Sequence, residues 1–378
     1  MVNQTHASRG LLNVYLNSSG SYMTSSEIIK LRLFNQQLAG TKFTTPQELV
    51  SWMGAIQSQD YGMAKWAIGL RLPGSNDTII EKAFNEGKIL RTHVLRPTWH
   101  FVTPQDIRWM LELTAPRILS SLTHNDRHLS LDKKTLKKTN DVLAKALEGG
   151  KQLTREDIRS VLQKAKIDTS GLRFIHLLEH AELDRVICSG AKMGNQFTYA
   201  LFHERASAKT MGHDESLAEL TKRFFTSRGP ATIYDFAWWS GLSVTDVKKG
   251  IEMVKKNFKR ESVDGKEYFF RVPSSFWDEI AQTTLLLPNY DEYVVSYKDR
   301  KEAIDKKHLA VILKERNAVF TNSILVNGRI EGTWQRTIKN NSVAVTTRFF
   351  STLSKGKQKL VKGGANQYSK FIGKSLQI

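Results

Sequence analysis

The sequence predicts an α+β protein, mainly α, made of three tandem winged helix-turn-helix units and a small C-terminal β-rich subdomain. Three observations predict it. Apolar residues at helical spacing occur in pairs of short blocks separated by breaks. Each pair runs into two strand-like stretches joined by a turn. The chain also carries 56 Lys+Arg against 37 Asp+Glu, a net charge of +19 over 378 residues. With a pI near 9.8, that is the footprint of a polyanion binder, most commonly a nucleic-acid binder.

Taken in order, residues 1–24 read as a mobile leader, with one Arg and no sustained apolar core, unlike a signal peptide. The first unit, 25–120, contains "TTPQELVSWMGAIQ". Thr45 can cap, Pro46 takes the first helical position, and Glu48 completes a capping box. Leu49, Trp52, Met53 and Ile56 share one helix face, and Met63, Trp66, Ala67 and Leu70 repeat the spacing after "SQDYG". Two strands around Arg96-Pro97 in "KILRTHVLRPTWHFVT" supply the wing. Residues 121–149 read as a charged helical linker.

The second unit, 150–205, pairs "LTREDIRSVLQKAKI" with "GLRFIHLLEHAELD" and a hairpin pattern. The third, 215–273, pairs "TIYDFAWWS" with "VTDVKKGIEMV", then a hairpin with Asp264-Gly265 at its turn. A β-rich subdomain at 280–352 includes an Asn327-Gly328 hairpin, and 353–378 reads as a basic tail, partly mobile.

The single cysteine, Cys188, excludes a disulfide framework and a Cys-rich metal site, and fits a reducing cytoplasm. No apolar run approaches the length of a membrane span. "HLLEH", His176 to His180, matches an inverted zinc-peptidase signature. It lies where a winged unit needs its second helix, with no evident third ligand, so no metal and no cofactor are expected. "HNDRH", His124 to His128, has the same spacing in polar surroundings.

The sharper motif is "AIQSQD". Gln57 and Gln59 stand at i and i+2. On a helix they diverge; in an extended stretch their amides converge. Converging amides can hold a water or grip a base edge, and the residues leave that choice open. In "RTHVLRPTWHFV", Arg91, His93, Arg96 and His100 alternate with apolar residues. Such a strand suits a wing with one buried face, or one laid on DNA phosphates. Arg173, Arg329 and Arg336 complete the expected DNA-contact set.

"AIQSQDYGMAKWAIGLR" and "ILRTHVLRPTWHFVTPQDIRWMLELTAPRI" resemble signature blocks of the bacterial winged-helix DNA glycosylases of the AlkZ and YcaQ type. "LLLPNYDEYVVSYKDR" and "VNGRIEGTWQR" resemble the later blocks, so the likeness runs from about 28 to 350. It implies winged-helix motifs around a concave basic surface. It also implies excision of alkylated purines and, in some members, unhooking of interstrand crosslinks. The Gln-x-Gln motif of the AlkZ branch falls on Gln57 and Gln59 as catalytic residues, with Asp60 as a supporting group. The expected partner is double-stranded DNA containing alkylated or crosslinked purines, met by a cytoplasmic monomer without membrane contact. The competing expectation is a winged-helix transcriptional regulator that binds DNA and leaves glycosidic bonds intact.

Overall fold

The computed structural model describes residues 23–40, 42–206, 210–272, 283–309, 321–352 and 354–377. After α1 (Ser25–Asn35), one order of elements occurs three times: helix, short extended segment, two helices, hairpin. The first set is α2 (Pro46–Met53), β1 (Ile56–Gln57), α3 (Tyr61–Arg71), α4 (Asp77–Asn85), β2 (Leu90–Val94) and β3 (Arg96–Val102), with sheet order β1-β3-β2. A long helix, α5 (Ile107–His128), leads to the second set. This comprises α6 (Lys133–Leu147), β4 (Gln152–Thr154), α7 (Arg155–Lys164), α8 (Arg173–Leu183), β5 (Ile187–Ser189) and β6 (Thr198–Leu201), ordered β4-β6-β5.

A short α9 (Phe202–Arg205) precedes the third set: α10 (His213–Arg228), α11 (Ile233–Ser240), α12 (Val244–Val254), β7 (Lys259–Val263) and β8 (Lys266–Phe270). Here a single residue, Ala231, bridges to Phe269 in place of the first strand. The chain then adds β9 (Thr284–Leu287), α13 (Glu292–Val295), β10 (Ser323–Val326), β11 (Arg329–Ile338), β12 (Ser342–Phe349), α14 (Lys355–Phe371) and β13 (Ser375–Gln377), with sheet order β13-β12-β11-β10-β9.

Local chemistry accounts for many boundaries. Thr45 and Thr154 form reciprocal capping boxes with Glu48 and Asp157, satisfying donors that the first helical turn cannot. Both two-residue hairpin turns have the paired positive φ values of a primed turn: Asp264 and Gly265 at 49° and 71°, Asn327 and Gly328 at 49° and 77°.

Several expectations need correction. Ile56 is not on the face of α2. That helix stops at Gly54, and Ile56 pairs with Phe101 as strand. The turn of the first hairpin is at Leu95, with β3 already begun at Arg96 and Pro97. The segment 121–149 is helical but is no spacer. Leu143 and Leu147 of α6 are fully buried in the core formed by α7 and α8, so α6 opens the second set. Residues 354–377 do not form a mobile tail. Val361, Ala365, Tyr368 and Phe371 lie on one buried stripe of α14, and β13 pairs in parallel with β12.

Nor is 280–352 a separate β-rich subdomain. Its strands share one core with α1–α4 and α14. The indole N–H groups of Trp66 and Trp334 donate to the carbonyls of Leu286 and Leu287, both at 2.7 Å. Helix α3 approaches α14 so closely that a Cβ on Gly69 would lie 2.4 Å from the Phe371 ring. The expected leader lies outside the described residues except for Met23, which is buried, and Thr24, which caps α1.

A candidate active site at the edge of the first sheet

The Gln-x-Gln stretch begins as strand at Gln57, the last residue of β1, and enters a bend at Gln59. Gln57 pairs opposite His100 across β1 and β3, and the Ser58 N–H donates to the Trp99 carbonyl at 2.7 Å. Both glutamine side chains meet β3, Gln57 at Arg96 and Gln59 at the Trp99 backbone.

Each amide oxygen is held by one donor. Arg96 Nη2 donates to Gln57 Oε1 at 3.2 Å, and the Trp99 N–H to Gln59 Oε1 at 3.3 Å. A carbonyl oxygen accepts two bonds, so each keeps a lone pair. Among the described residues no protein acceptor takes either Nε2. Gln57 is 7 % exposed, whereas Gln59 is open to solvent. From the other side, Arg91 Nε and Nη2 grip the Ser58 carbonyl at 3.1 and 2.9 Å.

Beneath the motif lies a buried charge cluster. The Gln57 N–H donates to Glu292 Oε1 at 2.8 Å. The other carboxylate oxygen takes Arg228 Nη2 at 2.7 Å, Trp239 Nε1 at 3.0 Å and Ser296 Oγ at 2.7 Å. Arg228 also donates to the carbonyls of Met53 and Ala55, on either side of the break after α2. Burial pushes the Glu292 carboxyl up; the Arg228 charge and hydrogen bond outweigh it and bring its pKa down to about 2. The neighbouring Asp291 forms a bidentate pair with Arg71, both bonds 2.8 Å. Together, Glu292 and Asp291 pin α13 to β1, α3, α10 and α11.

Asp60 has two tasks. One carboxylate oxygen caps α3 through the Met63 N–H at 3.1 Å. The other takes Arg336 Nη2 at 3.3 Å and Asn289 Nδ2 at 3.4 Å. The carboxylate is therefore fixed one residue beyond Gln59, and it remains part-exposed.

The expected DNA-contact residues divide. Arg96 and Arg336 reach the motif. Arg91 and His100 are buried, and serve the sheet. Burial lowers the Arg91 pKa to about 10. Burial, with the Arg96 charge second, lowers the His100 pKa to about 3. His93 is held 2.9 Å from Glu182 and lies on the Trp99 ring. Arg173 is committed to the carbonyls of Leu129 and Ser130 at the end of α5. Arg329 is exposed on the β10–β11 hairpin and lines a cavity with Lys357 and Glu331, not the motif.

The "HLLEH" histidines both face one carboxylate, with His180 Nε2 at 3.0 Å and His176 Nδ1 at 3.6 Å from Asp126. No group of three or more side chains able to hold a metal occurs among the described residues. Burial raises the Cys188 thiol to about 12, which makes it a poor nucleophile. Sequence reasoning missed Glu292, Arg228 and Asn289 as parts of the site. A signal existed: "NYDEYVV" sets two carboxylates inside an apolar stretch, where an unpaired charge would be prohibitively costly.

These features sit within a recognised class. The family model of AlkZ-like DNA glycosylases matches residues 50–371. The chain belongs to that family, enzymes that cleave N-glycosyl bonds in DNA. Among individual proteins, it is similar to the interstrand DNA cross-link repair glycosylase of Streptomyces sahachiroi. The two are 21% identical over 333 residues, covering 82% of this chain and 87% of the relative. The solved structure of the S. sahachiroi DNA glycosylase AlkZ superposes with a TM-score of 0.77 at 19% identity, covering 95% of this chain and all of that one. That likeness establishes an α+β fold of the same kind. No described helix is long and apolar enough to cross a membrane.

Proposed function

We propose that this glycosylase hydrolyses the N-glycosidic bond of cationic N7- or N3-alkylated purines in duplex DNA, with Gln57 and Gln59 as its catalytic residues. The observation that carries the reading is the fixing of both amide oxygens by donors on one strand, β3, each with a lone pair to spare. A water bonded to those oxygens would be aimed at C1′ of the sugar. The C1′–N9 bond breaks and its electron pair neutralises the cationic purine. The water oxygen bonds C1′ and releases its proton to solvent. Glutamine cannot act as a strong base, so the scheme relies on a labile leaving group and favours cationic lesions over neutral ones. The Asp60 carboxylate, held beside Gln59, would oppose the positive charge that develops on the sugar.

The three repeats of helix, extended segment, two helices and hairpin support a reading as tandem winged-helix units around a concave basic surface. The +19 charge supports salt-dependent binding to phosphates. An edge site, with Gln59 open to solvent, suits a purine that cannot be flipped deeply because it is tied to the other strand. Unhooking of interstrand crosslinks is therefore part of the proposal, with the relative's name as a second support. A monomer in a reducing cytoplasm agrees with the lone buried Cys188.

The test is release of free base from a duplex with one N7-methylguanine, and from the same duplex carrying a crosslink. Gln57→Ala and Gln59→Ala should each lower release about 100-fold or more. Wild-type release that persists in both variants would remove the motif from catalysis. Efficient excision of uracil or hypoxanthine would remove the cationic-lesion requirement.

A further inference from the structure

Beside the motif, α11 turns two aromatic rings towards solvent. Tyr234 is 54 % exposed and Trp238 40 %. They are four residues apart, so they share one helix face. Cations surround them. The Arg300 guanidinium lies 5.6 Å and the Arg96 guanidinium 6.0 Å from the Trp238 ring centre, and Lys298 Nζ lies 5.9 Å from the Tyr234 ring.

The Trp238 ring is held in place. Its Nε1 donates to the Val295 carbonyl at 2.9 Å, on the short helix that also carries Glu292. The end of α11 abuts the first hairpin: Gly241, at φ 71°, lies where a Cβ would come within 2.3 Å of the Leu95 carbonyl oxygen. From that turn Arg96 reaches Gln57. One guanidinium thus separates the candidate catalytic amide from an exposed indole.

We propose that Trp238, with Tyr234 beside it, is a stacking platform for a nucleobase displaced from the duplex next to the lesion, with the exposed Lys298 on a flanking phosphate. The location beside the reacting sugar rests on the reading of Gln57 as catalytic; the nucleic-acid partner follows from the family. A lesion enzyme must hold DNA of any sequence, and every base offers a π-face to a rigid ring. Surrounding cations add attraction for the backbone and exclude an acidic-poor or neutral partner surface as the better match. An indole whose N–H is already satisfied loses little side-chain freedom on binding.

The test uses the full chain and a duplex containing a tetrahydrofuran abasic analogue, which is bound and not consumed. Trp238→Leu should weaken binding by about tenfold, while Trp238→Phe keeps the platform and stays within about threefold. A 5-iodouracil placed next to the analogue should photocrosslink to Trp238. Two outcomes overturn the proposal: Trp238→Leu binds like wild type and no crosslink maps to α11, or Trp238→Phe fails as badly as Trp238→Leu with a lowered melting temperature. The second would make Trp238 only an anchor for Val295. Retained base release in Gln57→Ala, together with weakened binding in Trp238→Leu, would sink the catalytic assignment and leave the platform standing.

Discussion

Glu292 accepts the backbone N–H of Gln57 at 2.8 Å, 235 residues away in sequence. The same carboxylate pairs with Arg228, and both side chains are completely buried. A carboxylate that positions the motif strand is thus itself held by the Arg228 guanidinium, the Trp239 indole and the Ser296 hydroxyl. Glu292→Gln keeps the shape and removes the charge, leaving Arg228 buried without a counter-ion. Breaking such a pair costs about 3–5 kcal/mol. Urea denaturation should show that loss, and a change below about 1 kcal/mol would mean that solvent compensates the arginine.

His100 predicts how stability follows pH. Its folded pKa of about 3 lies below its ordinary 6.5, so the unfolded chain binds the extra proton first. Stability should be complete above pH 6.5 and fall as pH drops from there towards 3. Glu292, depressed from 4.5 to about 2, adds a second loss only below pH 4.5. Unfolding free energies measured across pH should therefore slope between 6.5 and 4.5. A His100→Asn variant should flatten that window; an unchanged slope there would assign it to other groups.

Asp60 combines a helix cap with a charge beside Gln59. Asn caps as well as Asp, so Asp60→Asn should change stability by less than about 1 kcal/mol. If the carboxylate faces the cationic sugar, base release should still fall at least about tenfold. Asp60→Ala should lose the cap as well, costing about 1 kcal/mol more. Full activity in the stable Asn variant would confine Asp60 to capping.

Arg336 and Arg173 were alike as sequence and differ as structure. Arg336 makes one part-exposed ion pair, at 3.3 Å with Asp60, and such pairs contribute about 0–1 kcal/mol. Its guanidinium stands at the site, so Arg336→Ala should weaken DNA binding and reduce the salt slope by about 1. Arg173→Ala should leave the slope alone and destabilise the fold, because the carbonyls ending α5 lose their donor. Anisotropy titrations at several salt concentrations, with melting curves, would separate the two. Equal slopes for both variants would contradict the division.

Much of the molecule was legible in the sequence because its signals are local. Thr45 with Glu48, Asp264-Gly265 and Asn327-Gly328 determine their caps and turns through neighbouring atoms alone. The same holds for the paired helices before each hairpin. Family membership followed from the long blocks around those residues.

Tertiary structure decided what depends on distant partners. Ile56 fits a helical stripe until Phe101 offers it a strand. Helix α6 reads as a charged spacer until Leu143 and Leu147 meet Ile158 and Phe174. The basic C-terminus becomes a helix because Val361, Tyr368 and Phe371 find an apolar surface on α3 and β9. Arg91, His100 and Arg173 looked available to phosphates, yet their burial and hydrogen bonds are set by elements up to about a hundred residues away. Periodicity tells which face of an element is apolar. Only packing tells what covers that face, and so which charges remain for DNA and which, like Glu292 and Arg228, are used to hold the site.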